Sequence, residues 1–412
     1  MDPVIYASAS SVGWLDLDAA ASERVAELLR ALEEPGTLDP LGLGTVRDAF
    51  SAMLVPGTST VQTRVRYFVF LPWIFKLLEA ERVAPGAFAG RLRHHEARLI
   101  DCLRHLGRNE GVIGFRAGRK VVRLPSEIYW GGLGAWGVRR YDLSLSEYGK
   151  RVAAFGRRGT DRDDDGNATG PASSMWVPLP EPPEGFLNEP IDFDLTAEEA
   201  TFLVDRIRQR QPGSLLATMC SRPYEAAEAD FPWDLRGPAL SAELNDVLRH
   251  AQCFSELTVG PQHVYNVLLA RQARAELQWD TTALEESELA RLAEWTGMLA
   301  DRGPELQAWA DELDSFWSLV GSQGHIPDAT RAFIERVVQR ALADPGTFAE
   351  DAAVHALLRE RELRLKTKRA RLANRSALEA WNQAPFGGQL SFRWPIARSY
   401  LADIAAGLAR IA

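Results

Sequence analysis

Apolar side chains recur at helical spacing along most of this chain, and Pro and Gly mark where the pattern breaks. Val25, Leu28, Leu29 and Leu32 predict a first helix within 15–32, with Ser22 as its cap and Glu23 just inside; Pro35 and Gly36 end it. Val46, Ala49, Phe50 and Met53 share one face of a second helix over 45–54, closed by Pro56-Gly57. Thr58 or Ser59 then reads as the cap of a helix running to about Leu71, where Pro72 bends or ends it. The span 88–106 reads as a further helix, dense in His and Arg. Between Gly111 and Leu124 the character changes. Val112, Ile113 and Phe115 form one β-like run, Val121 and Val122 another, and Ala117-Gly118 sits between them as a turn. A hairpin following helices is what a winged helix would look like. Pro125-Ser126-Glu127 opens a short helix to Leu133.

Residues 156–190 are rich in Gly, Pro, Asp and Ser and read as an exposed loop. Beyond them helices dominate. Thr196 and Glu199 form a capping box, and helices are predicted over 244–254, 259–277, 284–300, 330–342, 352–373 and 396–411. The expected fold is mainly α with a small β-hairpin. Its organisation is a basic, helical, winged-helix-like domain over 1–155, an acidic loop over 156–190 and a helical C-terminal domain over 191–412.

The length of 412 residues leaves room for two or three domains, and the 46% hydrophobic and 25% charged content is ordinary for a soluble globular protein. Cys102, Cys220 and Cys253 lie far apart with no CxxC spacing, which argues against a structural zinc site or a disulfide scaffold and fits a reducing cytoplasm. The opening MDPVIYASASSVGWLDLD lacks a basic start and a long apolar core, so it does not read as a secretory leader. The longest apolar run, Tyr67 to Phe75, is too short to span a bilayer and contains Pro72. A cytoplasmic protein without membrane contact is expected.

The net charge of −9 hides strong segregation. Residues 64–158 hold 19 basic and 8 acidic residues, whereas 159–330 hold 11 basic and 31 acidic. Such asymmetry points to a polyanion-facing part, or to two segments that neutralise each other across an internal interface. Three stretches carry the candidate chemistry. In the first, Thr58, Ser59, Thr60 and Gln62 supply donors at an expected helix start, followed by Arg64 and Arg66. Free N–H groups and the helix dipole there favour phosphate. The competing reading is a capped core helix whose arginines pair with Asp48 or Glu79. In the second, Arg116, Arg119, Lys120 and Arg123 would decorate the hairpin; Tyr129 and Trp130 could stack on a base, although Trp130 and Trp136 suit packing better. In the third, Lys366, Lys368, Arg369, Arg371 and Arg375 follow one another with no carboxylate between Glu362 and Glu379. A solvated helix face normally alternates sign, so this run fits a polyanion or the acidic middle segment.

Signatures of enzymes are missing. His94-His95-Glu96 is not HExxH, and there is no Walker loop, GxSxG elbow or HxK pattern. The glycines around Gly131 lack the preceding strand of a dinucleotide fingerprint. Asp161, Asp163, Asp165 and Gly166 mimic half of a calcium loop, but its closing glutamate is replaced by Ala172. No metal, cofactor or catalytic residue is expected, while a site assembled only in three dimensions would leave no such signature.

The motifs GLGTVRDAF, PGTSTVQTRVRYF and LPWI within residues 42–75, LPSEIYWGGL around Trp130, and KRARLANRSALEAW at Lys368–Trp381 are similar to those of a bacterial family of unknown function and of like chain length. The resemblance covers essentially the whole chain. It implies a setting in antiviral defence gene neighbourhoods, beside helicase and phospholipase-D-like nuclease genes, and supplies no catalytic residues. The expected function is a non-catalytic nucleic-acid-binding component, with DNA as the first choice, acting with a helicase or nuclease subunit. An assembly adaptor without DNA affinity and a hydrolase with a dispersed site are the alternatives.

Overall fold

A computed structural model describes residues 39–105, 111–155 and 174–411. The expected helix within 15–32 and the calcium-loop mimic at Asp161–Ala172 lie outside them. The chain is mainly helical, as the periodicity predicts. Among the described residues there is no strand, and Arg139 and Trp176 form an isolated antiparallel bridge.

The N-terminal half is built around α2 (Tyr67–Ala80), which α1 (Gly44–Leu54) precedes. The run YFVFLPWIF is apolar on every side because α2 is enclosed on every side; each of these residues is buried. Around it pack α3 (Phe88–Arg104), α4 (Pro125–Ala135) and α5 (Leu145–Phe155). Flat aromatic contacts fix their spacing: Phe68 stacks on Trp136 at 3.8 Å and Phe75 on Trp176 at 5.0 Å.

The expected helix start at Thr58 is not formed. Residues 58–66 are turns and irregular backbone, and α2 begins at Tyr67. This later start moves Pro72 into the second turn, where its missing N–H costs only the bond to the Phe68 carbonyl, and the helix runs on to Ala80. The expected hairpin at Gly111–Leu124 is likewise absent. Gly114 and Gly118 adopt φ of 80° and 53°, which coils the chain into turns and a 3-10 turn over Gly118–Lys120 against α3. With the hairpin goes the wing.

The capping box at Thr196 opens α6 (Ala197–Arg210) as predicted: Thr196 Oγ1 accepts from the Glu199 amide, and Glu199 Oε2 accepts from the Thr196 amide at 2.9 Å. Short α7 (Leu215–Met219) and α8 (Pro223–Glu228) follow. Next come α9 (Ala242–Leu277) and α10 (Thr282–Asp311), which pack along each other. The break expected near residue 255 does not occur. Gly260-Pro261 stays within α9, and the bare Gly260 backbone receives the Trp295 ring, which a Cβ would meet at 2.4 Å. Then come α11 (Leu313–Gly321), α12 (Asp328–Ala343), α13 (Ala352–Lys366), α14 (Arg375–Glu379) and α15 (Trp394–Leu408). The helix expected over 352–373 stops at Lys366, because Thr367 turns with φ of 48°.

Both halves share one hydrophobic core running from Leu41 to Ile404. Phe50 of α1 meets Phe254, Phe316 and Phe392, and Tyr400 of α15 lies edge-on to Phe68 and Trp136. Cys220 and Cys253 are buried and Cys102 half-buried, all as free thiols. Among the described residues, no helix is long and apolar enough to cross a membrane, and no cluster of His, Cys, Asp or Glu could hold a metal ion.

Candidate functional site

The Thr58 and Thr63 hydroxyls, the Gln62 side-chain amide and several backbone amides of residues 58–66 are spent within the protein. Buried Thr58 donates its hydroxyl to the Val55 carbonyl at 2.7 Å. Gln62, also buried, donates to the Gly57 carbonyl and accepts from the Ser59 amide and the Tyr400 hydroxyl. Ser59 is half-buried and Thr60 exposed. The Tyr129 hydroxyl accepts from the Thr63 and Arg64 amides and donates to the Arg64 carbonyl at 2.9 Å. These contacts fix the segment as turns and irregular backbone.

The two arginines are ion-paired to later parts of the chain. Arg64 forms a two-pronged pair with Asp403 of α15, at 3.0 and 2.7 Å, and lies over the Phe193 ring. Burial raises the Asp403 carboxyl above its usual range, and the Arg64 guanidinium opposes that rise. Arg66 is 5% exposed; it donates to Asp192 at 3.0 Å and to Glu199 at 2.9 Å, and stacks over Phe70. The first stretch is thus a junction between the two halves.

The second stretch stays at the surface. Arg116, Arg119 and Lys120 are exposed and Arg123 is half-buried; Arg119 reaches Asp101 at 3.4 Å. Arg93 of α3 donates to the Val121 carbonyl at 2.8 Å, tying the end of this turn to the helix.

Beside that contact opens a cleft of about 1000 Å³ between α3, α4, α5 and the loop joining the last two. Arg93, Arg139, Arg140, Lys150 and Arg210 line it, against the carboxylates of Glu127 and Asp142. Both carboxylates are engaged: Glu127 caps α4 by accepting from the Leu124 amide, and Asp142 accepts from Arg139. Among the described residues Arg93, Arg140 and Lys150 form no direct ion pair. Arg139 ties the loop together by donating to the Tyr141 and Leu143 carbonyls, with its guanidinium over the Trp130 ring at 5.3 Å. Trp130 Nε1 donates to the Leu143 carbonyl. Tyr141, 42% exposed, stands on a row of rings: it stacks on Phe155 at 6.0 Å, and Phe155 on buried Tyr148 at 5.8 Å. Gly131 and Gly134 form part of the cleft wall, and nothing lies within 4 Å of where a Gly131 Cβ would be.

The third stretch sits elsewhere. Buried Arg361 donates to the Leu41, Gly42 and Ala329 carbonyls, and buried Glu362 accepts from the Arg371 and Leu372 amides and the Tyr265 hydroxyl. Lys366 is half-buried, and desolvation lowers its pKa. Lys368 and Arg369 are exposed, Arg371 half-buried, and Arg375 exposed and paired with Glu379 at 3.0 Å. None of these lines the cleft.

His94-His95-Glu96 does not form a metal motif here. His95 is buried against Glu81, and burial lowers its pKa. Glu96 is fully buried, accepts from the Ser126 amide and hydroxyl, and is pushed up to about 8 by desolvation. Glu79, which accepts from the Tyr148 hydroxyl at 3.0 Å, is pushed up to about 7 by the same cause.

Sequence reasoning missed the cleft residues Arg93, Arg140, Tyr141, Lys150 and Arg210. The adjacent Arg139-Arg140-Tyr141 after a glycine-rich helix was the available signal; Lys150 and Arg210 carried none, since only the fold brings them together. No curated protein and no solved structure is significantly similar to the chain. A family model spans residues 9–407, almost the whole length, and by that match the chain belongs to DUF6361, a family of unknown function.

Proposed function

We propose that this protein binds nucleic acid, DNA in the first place, as a non-catalytic component of an antiviral defence assembly with a helicase or nuclease partner. The observation that carries the reading is the cleft, where Arg93, Arg140, Lys150 and Arg210 stand beyond the Arg139–Asp142 pair and the capping Glu127, beside an exposed tyrosine. Cations of this kind neutralise phosphate, and aromatic faces receive bases. The exposed turn bearing Arg116, Arg119, Lys120 and Arg123 extends the basic surface, since Arg93 links its last residues to the cleft wall. The surface cations Lys368, Arg369 and Arg371 lie apart and make a subsidiary contact in this reading. Arg64, Arg66, Thr58 and Gln62 serve architecture.

The test is binding of labelled DNA at low and raised salt by the intact chain and by Arg93→Glu with Lys150→Glu. Affinity that falls steeply with salt and drops at least tenfold in the double variant supports the assignment. No DNA or RNA binding at low salt overturns it. Capture of a helicase or nuclease subunit without nucleic-acid affinity would replace it with the assembly-adaptor reading.

A further inference from the structure

We infer that the cleft takes a single strand rather than a duplex, with one base stacked on Tyr141 and flanking phosphates held by Arg140, Lys150 and Arg93. This rests on the nucleic-acid reading above and specifies the form of the ligand.

Duplex DNA is read by an element that projects into a groove. Among the described residues the basic face offers none. The start of α2 is buried, and residues 111–124 coil against α3 instead of forming a ribbon. The cations of α3 itself are largely engaged: Arg91 on Glu81, Arg98 on Asn188, and Arg104 near Asp101. The basic surface is instead concave. A volume of about 1000 Å³ holds a few nucleotide units. A duplex would have to lie across its mouth and leave the aromatic wall untouched.

Tyr141 has the features of a stacking platform. Its ring rests on Phe155, which rests on Tyr148, so the row is braced from the core outward. Phe155 is its one ring partner among the described residues, and the side chain is substantially exposed. Its neighbour Arg140 is exposed, and Lys150 is exposed across the cleft on α5. Base against ring with cations on both sides is the arrangement by which single strands are held with little sequence preference. Open space over Gly131 lets the strand approach the α4 backbone.

The experiment compares fluorescence anisotropy of labelled oligothymidylate of about 12 nucleotides with a mixed duplex of equal length, using the full chain. The single strand is expected to bind at least tenfold more tightly. Tyr141→Ala should weaken it roughly tenfold, Tyr141→Phe should restore it, and Gly131→Leu should weaken it by filling the cleft while the thermal midpoint holds or rises. Duplex binding equal to or tighter than the single strand, or single-strand binding indifferent to both Tyr141→Ala and Gly131→Leu, overturns this inference; in either case sensitivity to Arg93→Glu with Lys150→Glu leaves the broader function standing. Absence of binding to either probe overturns both.

Discussion

Arg66 and Glu199 form a buried ion pair at 2.9 Å, and the second oxygen of the same carboxylate caps α6 at the Thr196 amide. One glutamate thereby neutralises the cation that precedes α2 and starts a helix in the other half of the chain. Removing one partner of a buried pair leaves the other charge uncompensated.

Arg66→Ala is therefore expected to destabilise the protein by about 3 kcal/mol or more in urea unfolding. Thr196→Ala, which removes only the cap, should cost about 1 kcal/mol. DNA affinity of the folded fraction should be unchanged in both. A variant at Arg66 that is fully stable but fails to bind would return this residue to the ligand surface.

Salt dependence offers a count of phosphate contacts. For a single strand, the slope of log affinity against log salt falls by about 0.7 for each contact removed. Arg140→Gln and Lys150→Gln should each reduce the slope by about that amount, measured by anisotropy over a salt series. Arg375→Gln, on a residue paired with Glu379 and outside the cleft, should leave it unchanged.

Glu96 makes stability depend on pH. Burial raises its folded-state pKa to about 8 from the ordinary 4.5, with the Ser126 donors opposing. The folded state keeps a proton that the unfolded chain releases, so the group's contribution is complete below the unfolded value and is lost as pH rises toward 8. Glu79, raised to about 7, acts with the same sign. Urea midpoints of the intact protein should fall between about pH 5 and pH 9, and Glu96→Gln should flatten that fall. Parallel curves for the two proteins would show that Glu96 is ionised in the fold.

Two adjacent glycines on α4 should respond oppositely to alanine. A Cβ on Gly132 would stand 2.5 Å from the Gly57 carbonyl and 2.8 Å from the Phe68 ring. Gly132→Ala should destabilise by about 1–3 kcal/mol through overpacking. Gly131 is exposed with open space, so Gly131→Ala should stabilise by roughly 0.5–1 kcal/mol. Thermal melts of the two variants check both signs.

Much of the helical plan was legible because it is local. The apolar stripe of α1, the break at Pro56-Gly57 and the capping box at Thr196 depend on residues a few positions apart. The function of Arg64 and Arg66 was not legible, because their carboxylates lie 339, 126 and 133 positions away. The donors of Thr58–Arg66 suggested a helix start open to phosphate, whereas Tyr129 and Tyr400, remote in sequence, claim its amides and its Gln62. The alternation at Val112–Val122 suggested strands, and the left-handed glycines at 114 and 118 prevailed over it. The cleft was half-visible: four of its five cations were counted in the basic block and Arg210 in the acidic segment, but their grouping needed α3, α4 and α5 to meet.

The junction also orders events during synthesis. Arg361 clamps Leu41 and Gly42, Arg393 binds Asp48, and Asp403 holds Arg64, so the earliest described residues are secured by some of the latest. A ribosome adds roughly 5–20 residues per second, which leaves residues 41–66 waiting on the order of 15–70 s for those partners. Through that interval Arg64 is an open cation on a nascent chain, whereas Arg66 meets Asp192 and Glu199 sooner, and the earliest described segment is among the last to be fastened.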